Sequence, residues 1–137
     1  MHCLGIKIDN LATTQALKKV ANFLDSDKQQ KIFTPNPEMI VDAQEDSYFK
    51  EVLNSGDLNI CDGKGVELFS KEKINRIPGT DFMLEICKIA EEKNKSVFFL
   101  GSGSREVLNK LIEQIKIRFP NLKIAGSHPG QKITTTQ

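Results

Sequence analysis

Residues 96–104 have the sequence Ser-Val-Phe-Phe-Leu-Gly-Ser-Gly-Ser, in which a continuous apolar run ends at a glycine-rich turn. An apolar run of this kind is typical of a central parallel strand that is buried on both faces. The residues that follow carry apolar side chains at helical spacing from Val107 to Phe119, and Pro120 ends that pattern. We therefore predict a strand, a tight turn and a helix, the first two elements of a βαβ unit.

The same alternation of strands and helices is predicted along the rest of the chain. A short strand or hairpin arm is expected at residues 3–8, and short strands at 31–33, 58–60 and 122–126. Helices are expected at 11–25, 37–45, 47–54, 65–70 and 81–92. Asp9-Asn10 and Thr80 are candidate caps for the helices that follow them. This order of elements predicts an α/β fold with a largely parallel sheet.

The composition limits the classes of function. The chain has 137 residues, a net charge of +1, one Tyr and no Trp, so neither a basic field nor an aromatic platform for nucleic acid is evident. No apolar run approaches the roughly 20 residues of a membrane span, and no signal peptide opens the chain, which favours the cytoplasm. Cys3, Cys61 and Cys87 are widely spaced and are expected to be reduced thiols.

Asp62 is the strongest candidate for a chemical role. It follows the predicted strand 58–60 and precedes Gly63-Lys64-Gly65. In an open α/β sheet, ligands bind beyond the carboxyl ends of the strands, and glycines allow a close approach. A carboxylate in that position is suited to act as a general base. A turn without function explains the same residues, since Asp-Gly is among the commonest turn pairs.

Thr34 and Asn36 follow the predicted strand 31–33, so we expect them at the same edge of the sheet as Asp62. A hydroxyl and an amide can both hydrogen-bond a sugar hydroxyl or a phosphate oxygen. The helix predicted from Pro37 also directs free N–H groups toward that edge. Capping of this helix by Asn36 is the alternative, and capping and ligand contact are compatible.

Two further segments carry weaker signals. The turn Gly101-Ser102-Gly103-Ser104 stands where phosphate loops occur, but it matches neither a dinucleotide-binding motif nor a P-loop, so a plain tight turn explains it as well. Arg76 lies in a charged loop; a guanidinium suits a diphosphate, and a solvated cation is the alternative. His2 and His128 lack partners at metal-ligand spacing, so no metal site is predicted.

Four motifs, taken together, resemble the WecB/TagA/CpsF family of glycosyltransferases. They are Thr34-Pro35-Asn36-Pro37-Glu38, Asp62-Gly63-Lys64-Gly65, Arg76-Ile77-Pro78-Gly79-Thr80-Asp81 and Phe99-Leu100-Gly101-Ser102-Gly103. Their order and spacing are those of the family, and the resemblance covers about residues 4–130. It implies a Rossmann-like domain with a mostly parallel sheet and helices on both faces, incomplete relative to the family.

The resemblance also implies a reaction in the synthesis of bacterial envelope polysaccharides. TagA-type members transfer N-acetylmannosamine from UDP-N-acetylmannosamine to undecaprenyl-diphosphate-linked N-acetylglucosamine, a step toward wall teichoic acid. WecG-type members transfer N-acetylmannosaminuronic acid. The expected reaction inverts the anomeric carbon and requires neither a metal nor another cofactor.

The family's functional residues can be carried onto matching positions of this sequence. The resemblance implies that Asp62 is the catalytic base, with Thr34 in the catalytic group beside it. Thr34 and Asn36 would hold the sugar or the acceptor, and Arg76 would face the diphosphate of UDP. Further substrate contacts are implied for the glycine-rich turns, at Gly63, Gly101, Ser102 and Gly103.

Residues 1–126 are expected to form the amino-terminal part of the glycosyltransferase domain, and residues 127–137 a tail. Family members continue with further strands and helices and with a basic segment that completes the site and reaches the membrane. Here His128-Pro129-Gly130-Gln131 stands where the family usually has His-Gly-Tyr-Phe. Contact with the inner face of the plasma membrane would come from that missing segment, from the substrate lipid or from a partner. Self-association is one way to cover the unpaired last strand.

Two alternatives belong to other classes of function. One is a truncated module that binds a UDP-sugar or a partner protein without turnover. The other is a nicotinamide-dependent enzyme, which is disfavoured because no GxGxxG motif follows the first strand.

Overall fold

The computed structural model describes residues 1–70, 72–101 and 103–131. In chain order the elements are β1 (His2–Cys3), β2 (Ile6–Lys7), α1 (Thr13–Asp25), β3 (Ile32–Phe33), α2 (Pro37–Glu45), α3 (Ser47–Asn54), β4 (Leu58–Asn59), a 3-10 helix (Lys64–Phe69), α4 (Gly79–Glu92), β5 (Ser96–Leu100), α5 (Arg105–Arg118) and β6 (Lys123–His128). The pairs β3–β4 and β5–β6 are parallel, and helices connect them. The predicted α/β class is confirmed, and the architecture is consistent with part of a Rossmann-like fold.

The chain divides into two compact units, Met1–Glu85 and Ile86–Gln137, with the division inside α4. In the first unit, β1 and β2 form an antiparallel hairpin. Leu4 and Gly5 at its tip both have positive φ, 47° and 79°, as the tight turn that matches strand twist requires. Of the two structures predicted for residues 3–8, a strand or a hairpin arm, the observed one is a hairpin.

β4 pairs with β3, and the segment that follows β4 forms a bridge with a third segment. β3 pairs with β4 in parallel, and the hydrogen bonding continues past the strand end, where the Asp62 N–H donates to the Pro35 carbonyl at 3.1 Å. Two residues beyond the end of β4, Cys61 forms an isolated parallel bridge with Arg76. The segments that follow β3 and β4 are therefore held side by side, as the sequence predicts.

The core of the first unit is apolar, with one buried amide. The apolar residues come from the hairpin, α2, α3 and the region around β4: Cys3, Ile6, Ile8, Ile40, Ala43, Leu53, Cys61, Val66 and Ile74. Asn59 is fully buried, and its Nδ2 donates to the carbonyls of Lys7 (3.0 Å) and Leu53 (2.7 Å). This side chain therefore ties the hairpin and α3 to β4.

The predicted caps at Asp9-Asn10 and Thr80 are wrong. Asp9 Oδ2 accepts from the Asn59 N–H at 2.8 Å, and the Asn10 side chain hydrogen-bonds the backbone of residues 73 and 75. These side chains hydrogen-bond distant segments of the first unit and do not cap α1. Thr80 lies inside α4, which begins one residue earlier at Gly79.

The second unit contains the parallel pair β5–β6 and α5, which begins after the Ser104 cap. The strand at 96–100 is confirmed, but its predicted burial on both faces is wrong. Phe98 and Leu100 are 56% and 74% exposed, because β5 pairs only with β6 among the residues that the structure describes. β6 extends to His128, beyond the predicted strand end at residue 126, and residues 132–137 of the predicted tail lie outside the described residues.

No helix in the described ranges is long and apolar enough to cross a membrane.

Candidate functional site

The Asp62 carboxylate lies at the amino-terminal end of α4. The Gly79 N–H, the first of that helix, donates to Asp62 Oδ2 at 3.2 Å. Helix amino termini carry unpaired N–H groups and a partial positive charge, so a carboxylate is stabilised there. Asp62 is half-buried and follows directly on the strand pairing described above. The structure therefore holds one carboxylate oxygen by a backbone N–H that lies 17 residues away along the chain.

Thr34 lies against the same point as Asp62. A Cβ built on Gly79 would stand 2.9 Å from Asp62 Oδ2 and 3.5 Å from Thr34 Cγ2. The two side chains predicted to act together are therefore neighbours, although they come from different strand ends. Among the described residues, no hydrogen bond occupies the Thr34 hydroxyl, which remains able to bind a ligand.

Asn36 and Gly63 lie along the same pair of loops. Asn36 caps α2, with its Oδ1 accepting from the Met39 N–H at 2.9 Å, as the capping interpretation predicts. Gly63 has φ 113°, and a Cβ there would stand 3.1 Å from the Pro37 ring. The turn after Asp62 therefore packs closely on the start of α2, and a larger residue at Gly63 would be strained.

Arg76 is exposed, and its backbone forms the bridge to Cys61 beside Asp62. Its guanidinium makes no ion pair or hydrogen bond with another residue in the described ranges. An exposed guanidinium is chemically suited to bind a diphosphate. The structure places the backbone of Arg76 beside Cys61, the residue before Asp62.

The pKa of the buried Cys61 thiol depends on its burial and on the charges around it. Burial is the main cause that raises the pKa of Cys61 to about 11; the carboxylates of Glu67 and Asp62 add to the rise, and the Arg76 guanidinium opposes it. Burial also raises the pKa of Cys3 and of Cys87, and all three thiols are free. The cysteines are therefore unsuited to act as nucleophiles at neutral pH.

This pKa predicts slow alkylation of Cys61. In a Cys3→Ala/Cys87→Ala background, iodoacetamide at pH 8 should react with folded Cys61 on the order of 10²-fold more slowly than in urea, because little thiolate is present. Equal alkylation rates in the folded and unfolded chain would contradict this prediction.

The same raised pKa predicts how stability depends on pH. Since the folded state retains the thiol proton, the stability that this group contributes should be complete below about pH 9 and lost as the pH rises toward 11.

The predicted nucleotide turn lies in the second unit. The Gly101 and Gly103 N–H groups donate to the carbonyls of His128 (2.9 Å) and Pro129 (2.8 Å). Both N–H groups that a phosphate would use are thus bonded to the segment at the end of β6. Ser102 lies outside the described residues. A nucleotide contact at Gly101 and Gly103 stays a prediction.

The first unit therefore brings together Asp62, Thr34, Asn36 and Gly63, with the backbone of Arg76 bridged to Cys61 beside them. Sequence reasoning included Gly79 in the motif that begins at Arg76 but assigned it no role in the site. No group of three or more His, Cys, Asp or Glu residues within the described ranges is arranged to hold a metal ion. A carboxylate, a hydroxyl and an amide at adjoining strand ends can deprotonate and hydrogen-bond a polyhydroxyl substrate.

Comparison with known proteins identifies the family. A protein of Bacillus spizizenii named N-acetylglucosaminyldiphosphoundecaprenol N-acetyl-beta-D-mannosaminyltransferase is 33% identical over 127 residues, which are 90% of this chain and 49% of that protein. A Staphylococcus aureus protein (strain NCTC 8325) of the same name is 30% identical over 131 residues, 91% of this chain and 51% of that protein. The chain thus spans about half the length of these curated relatives. The profile of the glycosyl transferase WecG/TagA/CpsF family matches residues 1–137, so the chain belongs to that family.

Proposed function

We propose that the chain forms the part of a glycosyltransferase that carries the catalytic base. The full reaction would transfer N-acetylmannosamine from UDP-N-acetylmannosamine to undecaprenyl-diphosphate-linked N-acetylglucosamine, in the synthesis of teichoic acid or a related envelope polysaccharide. The observation that carries this proposal is that Asp62 and Thr34 both lie beside Gly79 at the start of α4. The family and the names of the two relatives support the class of reaction and the lipid acceptor.

The proposed chemistry is a single displacement. Asp62 takes the proton from the acceptor hydroxyl while that oxygen forms a bond to the anomeric carbon of the donor. The bond from the anomeric carbon to the diphosphate breaks, and UDP leaves with the electron pair, which inverts the carbon. Thr34 and Asn36 hydrogen-bond the sugar or acceptor, and the Arg76 guanidinium balances charge on the departing diphosphate without a metal ion. Because the acceptor is a lipid, we place the reaction at the inner face of the plasma membrane.

The second candidate function is a binding module without turnover. The relatives that carry the transferase name are matched over about half of their length, so binding of a UDP-sugar is tested separately from transfer. Calorimetric titration with UDP, UDP-N-acetylmannosamine and NAD, followed by a transfer assay with an undecaprenyl-diphosphate-N-acetylglucosamine analogue, separates the candidates. Transfer supports the enzyme, UDP-sugar binding without transfer supports the module, and binding of NAD without UDP contradicts both.

Arg76 provides a test of nucleotide binding that does not depend on turnover. Arg76→Ala should weaken UDP binding by about 10- to 100-fold, because a charge-assisted hydrogen bond contributes about 1.5–3 kcal/mol. Lys73→Ala is the matched control, since Lys73 is another exposed cation of the same loop, and UDP affinity should not change. Calorimetry measures both, and equal UDP affinity of Arg76→Ala and the unmodified chain would remove Arg76 from the site.

A further inference from the structure

The contact between Gly79 and Asp62 is close enough to control where the carboxylate lies. The Gly79 N–H donates to Asp62 Oδ2 at 3.2 Å, and a Cβ on Gly79 would stand only 2.9 Å from that oxygen. This separation is shorter than ordinary van der Waals contact, so an added methyl group would displace the carboxylate. Thr34 Cγ2 would be 3.5 Å from the same Cβ, an ordinary contact that needs no movement.

The glycine is not required by backbone conformation. Gly79 is absent from the residues with positive φ, so alanine can adopt its conformation. Gly79 is also the first residue of α4, and alanine has a higher helix propensity than glycine. The atom in the way is the end of a flexible side chain, which can rotate without disturbing the strand. The position of the Asp62 carboxylate therefore explains the glycine at position 79, and the stability of the fold does not require it.

We propose that Gly79 is a positioning residue for the catalytic base. Its N–H fixes Asp62 Oδ2, and its missing side chain leaves the space in which the carboxylate lies. The second oxygen, Oδ1, is then the one presented to the acceptor hydroxyl. The catalytic role in this inference rests on the proposed function. The contact between Gly79 and Asp62 can be tested without turnover.

The first experiment measures the contact by NMR. Asp62→Ala removes the acceptor of the Gly79 N–H, so the Gly79 amide proton should move upfield and exchange faster with solvent. The Phe49 amide is the internal control, because it donates to the Asp46 carboxylate at 2.9 Å and should be unchanged in Asp62→Ala. An unchanged Gly79 amide proton in Asp62→Ala would overturn the inference, whether or not the chain transfers sugar.

The second experiment measures the catalytic consequence. Gly79→Ala should lower kcat by about 10- to 100-fold through misplacement of the base, with KM for the donor within about twofold and no loss of thermal stability. Thr80→Ala, at the next, exposed position of α4, should leave kcat unchanged. In an Asp62→Asn background, Gly79→Ala should cause no further loss of kcat.

The outcomes separate this inference from the proposed function. Absence of transfer by the unmodified chain would count against the proposed function and leave the NMR test to decide the contact. Transfer by the unmodified chain with unchanged kcat for Gly79→Ala would overturn the positioning role alone. If Gly79→Ala lowered kcat by the same factor in the unmodified chain and in the Asp62→Asn variant, that result would also overturn the role, because the effect would then not pass through the carboxylate.

Discussion

Replacing Asp62 by asparagine is expected to lower kcat for sugar transfer by about 10²- to 10⁴-fold, the usual contribution of a general base. The change removes the ability to accept a proton but retains the shape of the side chain. The amide oxygen of asparagine can still accept from the Gly79 N–H, which donates to Asp62 Oδ2 in the structure. Binding of UDP and the fold should therefore persist, and the loss should appear in kcat, not in KM.

Asp42→Asn is the control for the Asp62 prediction. Asp42 is an exposed carboxylate on α2, so its replacement removes the same charge without entering the site. A radiolabelled-sugar assay with lipid acceptor should show full activity for Asp42→Asn and a large loss for Asp62→Asn. Undiminished transfer by Asp62→Asn would show that another group takes the proton.

Asn59→Asp is expected to destabilise the fold by about 3–5 kcal/mol at neutral pH, because it places an unpaired charge in the core. The substitution preserves shape, but it places a carboxylate oxygen where Nδ2 donates to the carbonyls of Lys7 and Leu53. The negative carboxylate oxygen would then face the partially negative carbonyl oxygens of Lys7 and Leu53 in the core. Protonation of the new acid restores one donor, so the destabilisation should shrink as the pH falls toward about 4.

Asn54→Asp is the matched control for Asn59→Asp. Asn54 also hydrogen-bonds the hairpin, with its Nδ2 donating to the Gly5 carbonyl at 2.9 Å, but it is exposed. Urea denaturation should give a loss below about 1 kcal/mol for Asn54→Asp, because water solvates the charge. Equal stability of Asn59→Asp and the unmodified chain at pH 7 would contradict the assigned role of Asn59.

The sequence predicted the elements whose signals are local. Pro37 fixes the first turn of α2, and its neighbour Asn36 supplies the cap, so the observed bounds Pro37–Glu45 match the prediction. α3 also has the predicted bounds, Ser47–Asn54. The convergence of two strand ends followed from the general geometry of parallel strands, which needs no knowledge of particular contacts.

The contacts that the sequence did not predict join residues far apart in the chain. Asp9 has the chemistry of a helix cap, yet it binds the Asn59 N–H, 50 residues away. Asp62 holds the first N–H of α4, and no local pattern records that pairing. The continuous apolar run of β5 indicated burial, but Phe98 and Leu100 are largely exposed in the described part of the chain. Propensity and spacing describe neighbours in sequence, whereas these features depend on tertiary pairing.

We propose that the ends of β3 and β4 and the start of α4 form one site for a UDP-sugar. Amide chemical-shift mapping of the isotope-labelled chain during titration with UDP-N-acetylmannosamine can locate this site. We predict saturable shifts centred on Thr34, Asp62 and Gly79, which weaken in Arg76→Ala. Saturable shifts confined to other parts of the chain, or no shifts at millimolar ligand, would contradict the claim.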